Sequence, residues 1–175
     1  TLDPELTALG DDSTKPADVR LDALSARVSG KPLSAPAFSF VRSQFAPDSP
    51  AATRGAAAAI LPRSKLDAAQ RAAVVDLLHA SGPIEIGRLI ESLATEPSEP
   101  IGKKAVQQLA DAKGFSGLRF DQLKAWLARF PAPVQAAGEP LLTRLNQDAG
   151  KQKARLETIA SQLPKGDVRR GQAVF

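Results

Sequence analysis

The sequence contains no cysteine, no methionine and no tyrosine, and it has one histidine and one tryptophan among its 175 residues. The absence of cysteine excludes a disulfide framework and cysteine-ligated metal or haem within these boundaries. It also means that cysteine use does not indicate a redox compartment. Because the chain begins at Thr1 and has no methionine, we expect the natural start of translation, and any signal peptide, to lie outside it.

Long hydrophobic runs and aromatic residues are scarce. The longest apolar run, residues 56–61, is far shorter than the roughly 20 residues that a membrane-spanning helix needs, so we expect no membrane span. Aromatic residues make up 5% of the chain, and alanine supplies much of the 43% that is apolar. A core of small and aliphatic side chains favours closely packed helices over sheets.

The formal net charge of +4 is unevenly distributed along the chain. Residues 151–175 contain six lysines and arginines and two acidic residues, so the first 150 residues are neutral as a whole. A protein that binds a nucleic-acid backbone usually carries a basic stripe along its contact face. The distribution disfavours nucleic-acid binding, although a nucleic-acid-binding helical-repeat protein that uses its basic C-terminal segment stays the alternative.

Apolar residues recur at the spacing of amphipathic helices, between short breaks of proline, glycine and serine. No stretch shows the alternation with a period of two that indicates a strand. We therefore predict an all-α fold. The predicted helices before the C-terminal region span residues 14–28, 34–45, 48–61, 66–80, 84–94, 101–112 and 118–130.

A heptad pattern follows these helices. Its members are separated alternately by three and four residues, and they are Leu142, Leu145, Ala149, Gln152, Leu156, Ile159 and Leu163. Gly150 lies inside the pattern and costs about 1 kcal/mol relative to alanine. We predict one long helix over residues 139–163, in which a seam buried along its length outweighs this cost. Two helices broken at Gly150 are the alternative.

Several predicted helices share a sequence pattern. Residues 17–24 (ADVRLDAL) can be aligned with residues 51–58 (AATRGAAA), which places Arg20 and Arg54 34 residues apart, and residues 99–105 offer a looser third copy. Helix pairs that recur in this way indicate a solenoid.

The form D-V-R-x-x-A-L at residues 18–24 resembles the HEAT repeat. In that family the aspartate and the arginine tie adjacent repeats together, and the alanine lets the paired helices approach closely. The resemblance implies a HEAT-like antiparallel helix-pair solenoid that ends in a long helix, with structural roles for Asp18 and Arg20.

Candidate residues for catalysis or ligand binding are few. His79 lies near the C-terminal end of its predicted helix, where a protonated imidazole interacts favourably with the helix dipole. Without a cysteine or a second histidine, a packing or capping role is favoured over catalysis or metal binding. Glu85, Glu91, Glu96 and Glu99 are scattered over a helix and a loop, which is typical of a solvated face.

Two further patterns have a structural interpretation. Phe120, Trp126 and Phe130 could stack on a base or a sugar, but leucines share their helix face, so we predict that they belong to the core. Residues 166–171 contain glycines but lack the preceding strand of a phosphate-binding loop. We therefore predict no catalytic, cofactor-binding or metal-binding residue and no enzyme activity. An all-α enzyme with a site on the concave face of the solenoid is the alternative.

The last ten residues, GDVRRGQAVF, have the features of a helix start. Asp167 suits an N-cap, and Gly171 lies one turn before Phe175, so a second helix could cross over the glycine and contact the ring. This pattern resembles the opening helix of class I cytochrome c domains, G-D-x-x-x-G-x-x-x-F. Residues 118–175 are similar to the junction, in planctomycete and verrucomicrobial multidomain proteins, between HEAT-like helices and a C-terminal haem-binding cytochrome c domain.

The resemblance implies a non-catalytic helical-repeat scaffold or interaction module that adjoins an electron-transfer cytochrome c domain. It implies an extracytoplasmic protein, because c-type haem is attached after export. Haem c is expected downstream of Phe175 and not in this chain. The expected partners are the cytochrome domain and a dehydrogenase-like domain of the same protein.

Three segments follow from these expectations. We predict HEAT-like helical repeats over residues 1–138, the long helix over residues 139–163 and the start of a truncated cytochrome c-like domain over residues 164–175. In the last segment the resemblance implies packing roles for Gly166, Asp167, Gly171 and Phe175.

Overall fold

The computed structural model describes residues 2–27 and 29–162. These residues form nine α-helices, and no β-strand occurs among them, so the predicted all-α class is confirmed. Two short 3-10 helices, Leu61–Arg63 and Phe115–Gly117, lie in the connections. The α-helices are α1 (Asp3–Asp11), α2 (Ala17–Arg27), α3 (Ala35–Ser43), α4 (Ala51–Ile60), α5 (Ala68–Leu77), α6 (Ile86–Leu93), α7 (Glu99–Ala110), α8 (Phe120–Leu127) and α9 (Ala132–Gln162).

Two series of helix contacts run along the molecule. In one series α2 contacts α4, α4 contacts α6 and α6 contacts α8. In the other series α1 contacts α3, α5 contacts α7 and α7 contacts α9. Members of the two series pack as pairs, α1 on α2, α3 on α4, α5 on α6 and α8 on α9. One core of mostly leucine, isoleucine, valine and alanine side chains extends between them, as the composition predicts.

Local sequence signals determine where several helices begin. The Ser34 hydroxyl accepts a hydrogen bond from the Ala37 N–H at 3.3 Å at the start of α3. At the start of α5, Asp67 and Gln70 form a reciprocal capping box. These side chains satisfy N–H groups that have no partner inside the helix.

Helix α1 was not predicted, although its sequence contains the signals of a helix start. Pro4 occupies the first turn, and Asp3 and Glu5 supply negative charge there. Its packing depends on Gly10, because a Cβ at that position would lie 2.8 Å from Leu24 Cδ2. The apolar periodicity of this short segment is weak, so its helical structure depends on contact with α2.

The long C-terminal helix is continuous through Gly150, as predicted, but it begins at Ala132 and not at residue 139. Pro140 looks like a start signal in the sequence, yet it lies inside α9. A proline in a helix interior removes one backbone hydrogen bond. The helix nevertheless continues on both sides of Pro140, because residues on each side pack in the core. Val134, before the proline, is fully buried, and Leu141, directly after it, is nearly so.

The connection between α5 and α6 lies close to the connection between α7 and α8. The Lys113 N–H donates to the His79 carbonyl at 3.2 Å. Immediately afterwards, Gly114 packs on the backbone of Gly82, and Gly117 packs on Pro83. No side chain fits between these two connections, so their glycines are needed for the close approach.

We predict that Gly114→Ala destabilises the protein by at least about 2 kcal/mol. The new Cβ would collide with the Gly82 carbonyl and lie 2.7 Å from Ser81 O, and backbone cannot rotate away as a side chain can. The φ of −86° at Gly114 suits alanine, so the effect is steric. Urea unfolding followed by the fluorescence of Trp126 measures it.

Gly55→Ala is the matched control for this substitution. Its Cβ would meet only Ile84 Cγ2 at 3.7 Å, an ordinary contact. Because alanine favours the helix interior, we expect stabilisation of about 0.5–1 kcal/mol. Equal midpoints for the two variants would contradict the proposed close approach.

A separate prediction concerns the attachment of α1. The Lys31 ammonium, hydrogen-bonded to the Asp3 carboxylate, holds the pKa of Asp3 below that of an unperturbed aspartate. The contribution of this contact to stability is therefore present above the unfolded-state pKa, and it is lost as the pH falls through the lower folded-state pKa. In a carboxyl NMR titration, Lys31→Met should raise the pKa of Asp3 toward its ordinary value.

Asp12 is the internal control for this titration. Hydrogen bonds from Thr14 lower the pKa of Asp12. We expect that pKa to be the same in the wild type and in Lys31→Met. A shift of both aspartates would indicate a general rearrangement of α1, contrary to the local ion pair.

Candidate functional site

The single histidine lies in the turn that follows α5. The His79 side chain is exposed, so of the two roles predicted for it packing is wrong, and capping of the C-terminal end of α5 stays a prediction. Its backbone carbonyl accepts the hydrogen bond from Lys113 that joins two connections. The contact between the two connections is therefore made by the main chain of this residue.

The four glutamates considered as a solvated face are separated in space and differ in burial. Glu91 is exposed on α6, and Glu96 and Glu99 form ion pairs at the surface with Arg71 and Lys103, as expected for a solvated face. Glu85 is only 1% exposed, so the prediction is wrong for this residue. Within residues 2–27 and 29–162, no three potential metal-ligating side chains cluster together.

Arg20 connects three helices. Its Nε donates to the Gly10 carbonyl at 2.9 Å, and its guanidinium lies 3.6 Å from the centroid of the Phe40 ring. This geometry combines a hydrogen bond with a cation–π contact. Asp18 accepts a hydrogen bond from the adjacent Val19 N–H at 2.8 Å, which is a local contact.

Arg54 makes the corresponding connection between α4 and α6. Its Nε donates to Glu85 Oε1 at 2.8 Å, and its Nη1 donates to the Ser49 carbonyl. The other carboxylate oxygen of Glu85, Oε2, is buried and has no hydrogen-bond partner in the described part of the chain. An ionised side chain is buried at this low exposure only when it is paired, so Arg54 is the group that allows Glu85 to lie there.

Two of the three aromatic residues on α8 and after it belong to the core, as predicted. Trp126 and Phe130 are buried, with ring centroids 4.6 Å apart. Phe120 is 41% exposed, so the prediction is wrong for that residue. It lies beside a groove of about 480 Å³ between the start of α8 and the middle of α9, which Leu145 also lines.

Helix α9 divides into two halves with different surroundings. In the first half, Leu141, Leu142 and Leu145 are buried, and Arg144 donates to the Ala110 carbonyl at 2.8 Å. From Asn146 onward, the side chains that the structure describes are exposed or half-exposed. We call residues 146–162 the outer half of α9.

The outer half carries the second part of the heptad seam. Leu156 is 66% exposed and Ile159 is 43% exposed, so the expectation that the seam is buried along its length is wrong. At 1.5 Å per residue the outer half is about 25 Å long. A helix with an exposed apolar stripe is suited to packing against another helix.

The outer half is thus the candidate functional site, together with the groove beside Phe120. Lys151 and Lys153 form long ion pairs with Asp148 and Glu157 on the same helix, with a nitrogen–oxygen distance of 3.9 Å in each pair. The side chains of both lysines are largely exposed. Exposed ion pairs of this kind contribute little to stability, so the bases of the outer half are accessible to a partner. The residues of the cytochrome-like pattern, Gly166, Asp167, Gly171 and Phe175, lie outside the described residues, as does Leu163.

Comparison of the chain with models of known protein families, with curated proteins and with solved structures finds no match. Among the described residues no helix combines the length and the apolarity needed to cross a bilayer.

We predict that Arg54→Met destabilises the protein by about 3 kcal/mol, because it leaves the Glu85 carboxylate buried without its partner. Lys104→Met is the matched control, since it breaks an ion pair with Asp76 in which both side chains are about half exposed. That loss should cost less than about 1 kcal/mol. Urea unfolding compares the variants, and similar losses would show that Glu85 is not held by Arg54.

Proposed function

We propose that this chain is a non-catalytic, HEAT-like helical scaffold that docks and spaces an electron-transfer cytochrome c domain of the same protein. The observation that carries the proposal is the outer half of α9, in which the heptad seam continues as an exposed apolar stripe. The scaffold would act outside the cytoplasm. Haem c would be bound downstream of Phe175 and not by residues of this chain.

The course of the seam supports a docking role. Leu142 and Leu145 are already covered by the helices of the body, whereas Leu156 and Ile159 have the same heptad spacing and are exposed. A seam of constant spacing packs against helices along its whole length in coiled coils. The outer half therefore has the geometry to receive one further helix.

The arrangement of the other helices supports the comparison with HEAT repeats. Helices from the two contact series pack as successive pairs, as repeated units of a solenoid do. Arg20 and Arg54, at equivalent positions of the aligned segments, each bind a carbonyl or carboxylate on another element. These contacts agree with the structural role that the family resemblance implies for the arginine.

The link to a cytochrome rests on the resemblance of residues 166–175 to the opening helix of class I cytochrome c domains. It is tested by expressing the chain with the following part of its reading frame, about 100 residues or one small domain, in an exporting host that attaches haem. We expect a C-x-x-C-H sequence in the continuation and the visible spectrum of covalently bound haem c. Absence of the sequence or of covalent haem contradicts the cytochrome link.

The docking surface is tested separately with the double substitution Leu156→Glu/Ile159→Glu in residues 1–175. Burial of two aliphatic side chains stabilises a contact by several kcal/mol, so affinity for the separately produced cytochrome domain should fall at least about tenfold. Isothermal titration calorimetry measures the dissociation constant. Ala154→Glu, on the opposite face of the outer half, is the control and should leave it nearly unchanged.

Two results would contradict the docking proposal. One is equal affinity for the cytochrome domain in the double variant and in the Ala154→Glu control. The other is retention of residues 1–175 on heparin and duplex DNA that weakens steeply with salt. The second result would favour a nucleic-acid-binding helical repeat, with the exposed bases of the outer half as the contact.

A further inference from the structure

The groove beside Phe120 and the exposed stripe of the outer half form one continuous track along α9. The lining of the groove includes Leu145 and reaches Gln152. Gln152 lies about one turn before Leu156 on the same heptad seam. Residues 145–159 span about 21 Å at 1.5 Å per residue. A helix that covers the exposed stripe along this track therefore also reaches the groove.

Basic side chains flank the exposed part of the seam. In a heptad lettered a to g with its seam at a and d, the e and g positions lie beside the seam and contact the flanks of a partner helix. With Leu156 at a and Ile159 at d, Lys153 is at e and Arg155 is at g, and both are exposed. The pair of Lys153 with Glu157 is long, at 3.9 Å, and exposed. Such a pair contributes little to stability, so an acid of a partner can replace it.

We infer that the outer half of α9 receives an amphipathic helix that carries acidic side chains on both flanks of its apolar stripe. This inference rests on the docking role proposed for the outer half, and it names the chemistry of the helix that docks. The apolar stripe of that helix covers Leu156 and Ile159, its flanking carboxylates pair with Lys153 and Arg155, and an apolar side chain near one end packs on Phe120. The selection acts at contact range, because the net charge of the outer half is only +1.

Two other occupants fit these flanks less well. A second copy of this chain, packed parallel and in register, would bring Asp148 to Lys153 but would leave Arg155 facing Ala160. In an antiparallel pair centred on the outer half, Lys153 would face Lys153 and Arg155 would face Arg155. Residues 163–175 contain three bases and one acid, so that segment does not supply the acidic flanks. The acidic helix therefore belongs to another part of the partner.

Two synthetic helical peptides of about four heptads test the inference on residues 1–175. Both have leucine at every a and d position, and their e and g positions are all glutamate in one peptide and all lysine in the other. Like charges keep each peptide from pairing with itself. In fluorescence anisotropy, the glutamate peptide should bind at least about fivefold more tightly, because the flanking contacts of the lysine peptide are repulsive.

The variant Lys153→Glu/Arg155→Glu should reverse this preference and bind the lysine peptide at least about fivefold more tightly than the glutamate peptide. General damage to the helix would weaken both peptides and would not exchange them. Phe120→Ala should weaken the glutamate peptide at least about threefold, because it removes apolar surface from the groove. Lys65→Glu/Arg88→Glu changes two exposed bases outside α9 and the groove. It is the matched control and should leave the preference unchanged.

Failure of the glutamate peptide to bind, equal affinity for the two peptides, or no reversal in the charge variant would overturn the inference. Full affinity in Phe120→Ala would contradict the part assigned to the groove. Self-association of residues 1–175 in sedimentation equilibrium that Leu156→Glu/Ile159→Glu abolishes would also overturn the inference, since a second copy would then occupy the stripe.

The peptides measure the chemistry of the flanks independently of the cytochrome domain. If the glutamate peptide binds as expected and the cytochrome domain does not bind, the proposed function fails and the inference about the acidic helix stands. If the cytochrome domain binds through the stripe and the peptides show no preference, the inference alone fails.

Discussion

The buried carboxylate of Glu85 constrains the arrangement of the middle of the molecule. It lies at the start of α6, where the helix dipole favours a negative charge, and Arg54 binds it from α4. The interior tolerates this charge only while Arg54 stays in place, so α4 and α6 have one relative position. The connection before α6 is in turn held by the backbone contact of Gly82 with Gly114.

Much of the helix order could be predicted from the sequence because breaks and periodicity are local properties. Proline, glycine and serine end the helices near the predicted positions, and the capping residues Ser34 and Asp67 begin α3 and α5. Helix α1 has start signals at Asp3 and Pro4 but little apolar periodicity, because its packing depends on the small size of Gly10. Periodicity of side chains does not report such a backbone contact.

The burial of individual side chains was predicted less well, because it depends on residues that are distant in sequence. Glu85 lies among glutamates that are exposed, and only the approach of Arg54, 31 residues earlier, distinguishes it. Phe120 shares a helical stripe with Trp126, but it lies at the edge of the body and stays 41% exposed. The sequence pattern is the same on both sides of that edge, so the pattern does not locate it.

The two halves of α9 differ in what stabilises them. The first half is held by buried leucines and by Arg144, which also stacks on Phe115 at 4.4 Å. Among the described residues, the outer half makes backbone hydrogen bonds, local side-chain hydrogen bonds such as Thr158 to the Ala154 carbonyl, and weak pairs such as Lys153 with Glu157. It lacks the tertiary packing that supplies most of the stability of helices in proteins. A partner that covers Leu156 and Ile159 would therefore stabilise the helix as well as bind to it. The outer half carries three bases, Lys151, Lys153 and Arg155, against the two acids Asp148 and Glu157, so its net charge is +1 and it attracts an acidic partner only weakly at long range. The exposed apolar stripe would thus direct such a partner to one helix, which the other helices hold in position.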